Sequence, residues 1–375
     1  MEKYGLYIHI PFCKKKCYYC DFCAYQNLED RIDLYFKDLE KEIELRRKNL
    51  DVKIDSIYIG GGTPSYVDPA YIQRIFEKIN KFDIDKKSEI TIEVNPDSVR
   101  EDKLKIYKSL GVNRISMGVQ SFNDKILEKI GRTHKKEDVL RAFEIFEKLG
   151  FKNISIDMML NLPTQTKKDV LKDLEIIKNL NIKHISWYSL ILEKGSYFNS
   201  LYEKDKLELM DDDSERDIFK IIIDELNRNG IIRYEISNFA KKGFKSKHNK
   251  KYWDLKRYIG VGLSAASYIK DTRMTNTRNF IAYHKRLQQG QFPIETSQTL
   301  TNEDKIKEYI IFKLRETEGI NKKEFKDRFG FDLMDKYKEV FSKYKKLGFF
   351  EEIGDNISFT EKGMDLSNSF YVDII

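Results

Sequence analysis

Cysteine is scarce in this chain: 375 residues contain 4, and all lie between Cys13 and Cys23. With none elsewhere to cross-link a long loop, a disulfide scaffold is disfavoured and metal binding is favoured. Proline is rare too, with 6 residues, while 41% of the chain is hydrophobic and 13% aromatic, so long disorder is not expected and a packed core is. No apolar run approaches the roughly 20 residues of a membrane span. The start, MEKYGLYIHIPFCKKKC, lacks the long apolar stretch and cleavage site of a signal peptide. These absences predict a soluble, cytoplasmic protein. Charge of one sign is not in large excess either: 68 basic residues against 61 acidic ones give a formal charge of +7, which permits nucleic acid without implying it.

What is present is alternation. Short β-branched segments at Tyr4–Ile10, Ser56–Ile59, Ser88–Val94, Asn113–Val119, Asn153–Leu160 and Lys183–Leu190 are separated by amphipathic stretches such as Arg31–Arg47, where Ile32, Tyr35, Leu39 and Ile43 fall at helical spacing. Six strands with helices between them predict an α/β fold, a parallel sheet closed or partly closed as a (β/α)6 TIM-like barrel. Beyond Leu192 the pattern changes. A helix from about Asp211 to Asn229 stops at Gly230, and a short strand is expected at Tyr234–Ser237. From about Leu300, helices lead to a hairpin turning at Gly354–Asn356, which predicts a small α+β winged-helix-like domain. The expected division is a barrel over 1–235, a connecting segment over 236–295 and a C-terminal domain over 296–375.

Cys13-x3-Cys17-x2-Cys20 puts three soft ligands in one loop directly after the first strand. Three thiolates on a four-iron cluster leave one iron open, and an open iron can chelate the amino and carboxylate groups of a ligand. Zinc on all four cysteines and a loop of inert thiols are the weaker alternatives, since zinc sites favour separated pairs and buried cysteines rarely cluster so densely. Further polar or glycine positions fall near carboxyl ends of predicted strands, where barrel sites are built. They are Gly60 to Pro64 after the second strand, Glu93 on the third, Gln120 and Arg132 after the fourth and Asp157 on the fifth.

The segment YIHIPFCKKKCYYCDF, with Tyr7, His9 and Pro11 flanking the cysteines, resembles the cluster loop of radical SAM proteins, specifically the oxygen-independent coproporphyrinogen III oxidase and HemW branch. The segments IEVNPD, MGVQSF, GRTH and SIDMML resemble the same family. That resemblance implies a [4Fe-4S] cluster on Cys13, Cys17 and Cys20. It also implies S-adenosylmethionine (SAM) contacts at Tyr7, Gly61, Gly62, Thr63, Glu93, Gln120, Arg132 and Asp157. Physically, Arg132 suits the ligand carboxylate and Glu93 its cationic or hydroxyl parts. No catalytic residue is singled out.

Within the branch, the oxidases carry a fourth cysteine two residues after the third, where this chain has Phe22, with Cys23 one further on; only 12 residues precede Cys13, so the oxidase's N-terminal extension is missing. Both departures resemble the haem chaperones. So does His248-Asn249-Lys250-Lys251-Tyr252-Trp253, whose HNxxYW pattern implies haem handling, with His248 as candidate axial ligand. Nearby, Lys241, Lys242, Lys245, Lys247, Lys250, Lys251, Lys256 and Arg257 are opposed in the same stretch by Asp254 alone, a concentration suited to haem propionates or an anionic membrane surface. The expected function is therefore binding of haem and its delivery to acceptor haemoproteins. The alternative is radical decarboxylation of coproporphyrinogen III. The resemblance also makes a homodimer and respiratory acceptors at the inner face of the membrane plausible. Cys23 is expected to be a small packed thiol. Nucleic-acid binding is not expected, because Lys322–Lys326 and Lys343–Lys346 read as ordinary exposed charges.

Overall fold

The computed structural model of the chain describes residues 2–375. Six parallel strands form its centre: β1 (Lys3–Ile10), β2 (Lys53–Gly61), β3 (Asp83–Val94), β4 (Arg114–Gln120), β5 (Asn153–Leu160) and β6 (His184–Ser189). Each falls on a predicted strand, with ends shifted by a few residues. The helices between them are α1 (Ile32–Asn49), α2 (Pro69–Ile79), α3 (Glu101–Ser109), α4 (Asp124–Lys129), α5 (Lys136–Lys148) and α6 (Lys167–Lys178), followed by α7 (Tyr197–Tyr202) and α8 (Asp212–Arg228). Helix α2 shows how locally these elements are specified. Asp68 accepts a bond from Ala70 N–H at 2.8 Å, Pro69 occupies the first turn, and Ile72, Ile75, Phe76 and Ile79 bury one face.

The strands alternate, but the two faces carry the reverse of the usual barrel chemistry. Leu6, Ile8, Ile57, Ile59, Ile92, Ile115, Ile156 and Ile185 are fully buried and belong to the main core with the helices. The intervening residues, Tyr7 and His9, Ser56 and Tyr58, Glu89 and Glu93, Arg114 and Ser116, Ser155 and Asp157, His184 and Ser186, share the opposite face, where they bond across strands. Tyr58 reaches Glu93, Ser116 reaches Asp157 and Ser155 reaches His184. A (β/α)8 barrel fills its interior with branched apolar side chains; this one has a polar lumen, and its hydrophobic core lies in the shell between strands and helices.

Residues 236–295, expected as a connection, are woven into the same 12-stranded sheet. A tight hairpin joins β7 (Ile232–Arg233) to β8 (Asn238–Ala240), and β8 lies antiparallel against β6. The predicted strand at Tyr234–Ser237 is the turn of this hairpin. The Glu235 carboxylate accepts Ser237 N–H at 2.8 Å and Asn238 Nδ2 at 2.6 Å, which curls the chain back. After helix α9 (Lys247–Trp253), strand β9 (Tyr258–Val261) pairs in parallel with β1 as a seventh parallel strand, and β10 (Ala266–Ile269), β11 (Thr272–Asn276) and β12 (Ile294–Thr299) extend that edge in antiparallel fashion.

The C-terminal part has its own core around Ile310, Leu314, Phe325, Phe341 and Phe370. Helix α10 (Phe280–Gln288) precedes it; α11 (Asn302–Arg315), β13 (Ile320–Asn321), α12 (Lys322–Phe329), α13 (Leu333–Lys346), β14 (Phe350–Ile353) and β15 (Asn356–Phe359) then follow in the order of a winged helix. The last two strands pair through a turn at Gly354 and Asp355, as predicted. Among the described residues, no helix is long and apolar enough to cross a membrane.

Candidate metal centre and cofactor pocket

The loop after β1 is fastened over the carboxyl ends of the strands. Tyr25 N–H donates to Pro11 O at 2.7 Å and Cys13 N–H to Tyr25 O at 2.9 Å, which closes residues 11–25 on themselves. Gly62 and Thr63 N–H groups donate to Ile10 O and Phe12 O at 2.8 and 2.9 Å, and the Thr63 hydroxyl reaches Cys13 Sγ at 3.4 Å. Cys13 is buried, Cys17 and Cys20 are half-buried, and all three line a cavity of about 140 Å³. Gly61, Gly62, Thr63, Glu93, Gln120, Arg132 and Asp157 line the same cavity. Tyr7 and His248 do not.

The three glycines earn their place by close approach. At Gly61, where φ is +113°, a Cβ would lie 2.5 Å from the His9 ring; at Gly60 it would lie 2.7 Å from the Glu93 carboxyl carbon; at Gly62, 2.9 Å from the carbonyls of Ile10 and Phe12. The bare α-carbons therefore admit His9, Glu93 and the cysteine loop as well as leaving backbone facing the cavity.

Opposed charges face each other across the pocket. The Arg132 guanidinium donates to Asn95 Oδ1 at 2.9 Å and to Gly118 O, and approaches Cys17 Sγ at 3.6 Å. Glu93 accepts from the Tyr58 hydroxyl at 2.8 Å and from Gly61 N–H at 3.0 Å. Removal from water outweighs these bonds and pushes its carboxyl up to about 7, with Asp157 adding to the rise. Desolvation also raises Asp157, against the pull of Ser186, Arg114 and Ser116. Arg114 is 1% exposed, and its Nε and Nη1 have no hydrogen-bond partner among the described residues. Burial raises the Cys13 thiol and pushes Cys20 up to about 11. Gln120 holds a left-handed φ of +68° while nearly buried, a strain of about 1–3 kcal/mol that its packing must sustain. Three thiols, one fixed cation and two carboxylates can thus hold a thiophilic metal cluster beside a small zwitterionic ligand.

Comparison with known proteins follows the same lines. The family model of the radical SAM superfamily matches residues 7–177, and that of the HemN C-terminal domain matches residues 300–366. The curated heme chaperone HemW of Bacillus subtilis is 37% identical over 368 residues, covering 97% of both chains. That of Lactococcus lactis is 35% identical, covering 97% of this chain and 95% of its own. The Escherichia coli relative of the same name is 32% identical over 86% of this chain and 85% of its own. This chain belongs to the HemW family. The solved structure of coproporphyrinogen III oxidase (HemN) from Escherichia coli, described as a radical SAM enzyme, shares the fold, with a TM-score of 0.87 over 100% of this chain and 90% of that one at 24% identity.

Two residues singled out in the sequence lie away from this HemW-family pocket. Tyr7 stands one layer below, its hydroxyl 2.9 Å from His9 Nδ1 and its ring 6.2 Å from that of Tyr58. Because His9 Nε2 faces the Cys23 carbonyl at 2.8 Å and must donate to it, Nδ1 accepts from Tyr7. His248 lies deeper still. It is 1% exposed, its Nδ1 is 3.0 Å from Ser56 Oγ, and its Nε2 is 3.0 Å from the Tyr252 hydroxyl. Burial, with Lys251 and Arg114 nearby, lowers its pKa to about 3 and keeps it neutral. In this conformation neither ring nitrogen is free for iron. Helix α9, which carries the HNxxYW pattern, forms the floor of the lumen: His248 N–H donates to Glu89 at 3.1 Å, Lys251 pairs with Asp55 at 2.6 Å, and both side chains press on Gly5.

Four of the eight cations around this helix are answered by distant acids, Lys245 by Glu318, Lys250 by Glu316, Lys251 by Asp55, and Arg257 by Glu2 and Asp271, and Lys256 by the neighbouring Asp254. Cys23 is 5% exposed and points to the Tyr25 hydroxyl, while Phe22 is 63% exposed on the pocket rim. Sequence reasoning missed Tyr19, Asn95, Ser116 and Gly118, which also line the pocket. For the last three the signal was available in the two-residue period of β3 and β4, which puts Asn95 with Glu93, and Ser116 and Gly118 with Gln120, on one face; Tyr19 lies in the cysteine loop.

Proposed function

We propose that this protein is a haem chaperone that binds haem and passes it to acceptor haemoproteins, carrying a [4Fe-4S] cluster on Cys13, Cys17 and Cys20 and SAM against it. The single observation that supports the cofactor site is the gathering of three thiols, Arg132, Glu93 and Asp157 around one cavity. When bound, the cluster supplies one-electron reduction of the sulfonium, the chemistry of the superfamily. The protein's part is to bind and orient. Arg132, already tied to Asn95 and Gly118, offers a fixed cation to a carboxylate; Glu93 and Asp157 offer acceptors to an ammonium or ribose hydroxyls; the floor of the lumen keeps bulk water from below.

The chaperone reading is preferred over the alternative, coproporphyrinogen III oxidation, because relatives alignable over nearly the whole chain bear the name heme chaperone and Phe22 stands exposed where an oxidase carries cysteine. Delivery to respiratory haemoproteins at a membrane surface, and action as a homodimer, are parts of the same proposal. The test is anaerobic cluster reconstitution followed by parallel incubation with haem and with coproporphyrinogen III, each with SAM. Stable haem uptake and transfer to an apo-haemoprotein without porphyrinogen turnover is the expected result. Formation of protoporphyrinogen would reverse the assignment.

A further inference from the structure

Beneath the floor helix, on the side of the barrel away from the cysteines, a cavity of about 720 Å³ opens between the amino-terminal ends of the strands and the C-terminal part. That volume lies inside the range of roughly 300–1,000 Å³ typical of sites for small organic ligands. One wall is apolar, made by Leu255, Tyr268 and Ile306, all nearly buried, together with Phe329. The rest is charged and predominantly basic: Lys3, Lys251, Lys256, Arg257, Lys305 and Arg328 face the cavity against three acids, Glu2, Asp55 and Asp271, while Asp85 and Asp254 reach Lys3 and Lys256 from outside the lining.

Carboxylates are in short supply at the rim. Asp271 serves both Arg257, at 3.3 Å, and Lys305, at 3.1 Å, with Glu2 also on Arg257 at 2.9 Å. Asp254, just behind, serves both Lys256 and Lys313. Arg328 has no carboxylate partner among the described residues; its guanidinium donates to the carbonyls of Asp254 and Leu255, each at 3.1 Å. A ligand that brings two carboxylates and a flat apolar body would give Arg328 its first carboxylate and Lys305 an unshared one while covering the apolar wall.

We propose that this cavity is the haem site, with the propionates on Arg257, Lys305 and Arg328 and the porphyrin edge against Leu255, Ile306 and Phe329. The inference rests on the chaperone reading and deepens it, since it places the cargo on the far side of the floor helix from the cluster. No histidine, cysteine or methionine lines the cavity. A haem seated there would have no imidazole or sulfur ligand from the protein; with an oxygen donor, water or the Tyr268 hydroxyl, its ferric iron would be high-spin.

The test is anaerobic titration of the full-length, cluster-reconstituted protein with ferric haem, read by absorbance and electron paramagnetic resonance. Competition is then measured with iron-free protoporphyrin as the free diacid and as its dimethyl ester. The expected results are a high-spin haem spectrum, displacement by the diacid but not by the diester, and at least a tenfold loss of affinity in the double variant Arg257→Glu, Lys305→Glu. The competition pair decides the matter if that variant misfolds. Haem bound with an imidazole- or sulfur-ligated spectrum, or displaced equally by the diester, overturns the site while leaving the chaperone reading intact. A wild-type protein that takes up no haem at all overturns the chaperone reading itself.

Discussion

Glu93→Gln should change how stability depends on pH, and the size of the change follows from the pocket. The Glu93 carboxyl moves from 4.5 to about 7 on folding. The folded chain therefore binds a proton there that the unfolded chain has released. Stability contributed by the neutral carboxyl is complete below the unfolded value and is lost as pH rises to the folded one. Tenfold per pH step is about 1.4 kcal/mol, so the loss between pH 4.5 and pH 7 is about 3 kcal/mol. Glutamine cannot ionise and escapes it. Glutamine also keeps one oxygen, so either Tyr58 or Gly61 loses its acceptor at a constant cost of about 1 kcal/mol. The difference in unfolding free energy, variant minus wild type, should thus rise by about 3 kcal/mol from pH 4.5 to pH 8 whatever its offset. Urea titrations of the metal-free protein followed by circular dichroism measure it, and the subtraction removes other titrating groups such as Asp173, which burial pushes up to about 7. A flat difference curve would refute the account of Glu93 as a carboxyl held against desolvation.

Gly61→Ala should cost at least about 2 kcal/mol and reduce iron uptake on reconstitution, because the new methyl group meets the His9 ring at a positive φ; melting temperature and iron per chain check both. Cys17→Ser should abolish the cluster's visible absorption, whereas Cys23→Ser, at a packed thiol outside the pocket, should retain it; equal loss in both would move the fourth cysteine into the ligand set. His248→Ala should destabilise by about 3 kcal/mol through an empty volume and two stranded hydroxyls, Ser56 and Tyr252, and should speed hydrogen exchange across residues 247–253.

The parts of this fold that were legible in the sequence are those set by neighbours along the chain. Strands β1 to β6 announce themselves as β-branched runs. Helix α8 is bracketed by Asp211, which caps it with a bond to Ser214 N–H, and by Gly230. The cysteine triad is local by construction. What was not legible depends on partners far away. Nothing near Lys250 reveals that Glu316 neutralises it, and nothing in HNxxYW reveals that Ser56 and Glu89 await the histidine. The glycine run was legible as part of the site by its place after the second strand, but that the space beside two of its α-carbons is filled by His9 and Glu93 was not. Tyr234–Ser237 has strand composition, yet the Glu235 carboxylate takes the Ser237 N–H and the Asn238 side-chain amide and makes it a turn. Polar residues at every second position of a buried strand were the overlooked sign that the lumen is polar and the core lies outside it.

The pairing of β1 with β9, Gly5 beside Tyr258 and Ile8 beside Val261, has a consequence for biosynthesis. A ribosome delivers β1 first and its second neighbour only after most of the protein has emerged. Until then the first strand is an open sheet edge, one of the surfaces most prone to pair with the wrong chain. The loop that carries Cys13 hangs from that edge. The order of synthesis therefore leaves an interval in which the cysteine loop is attached to a scaffold sealed on one side only, and loss of residues 258–261 would prolong that interval indefinitely.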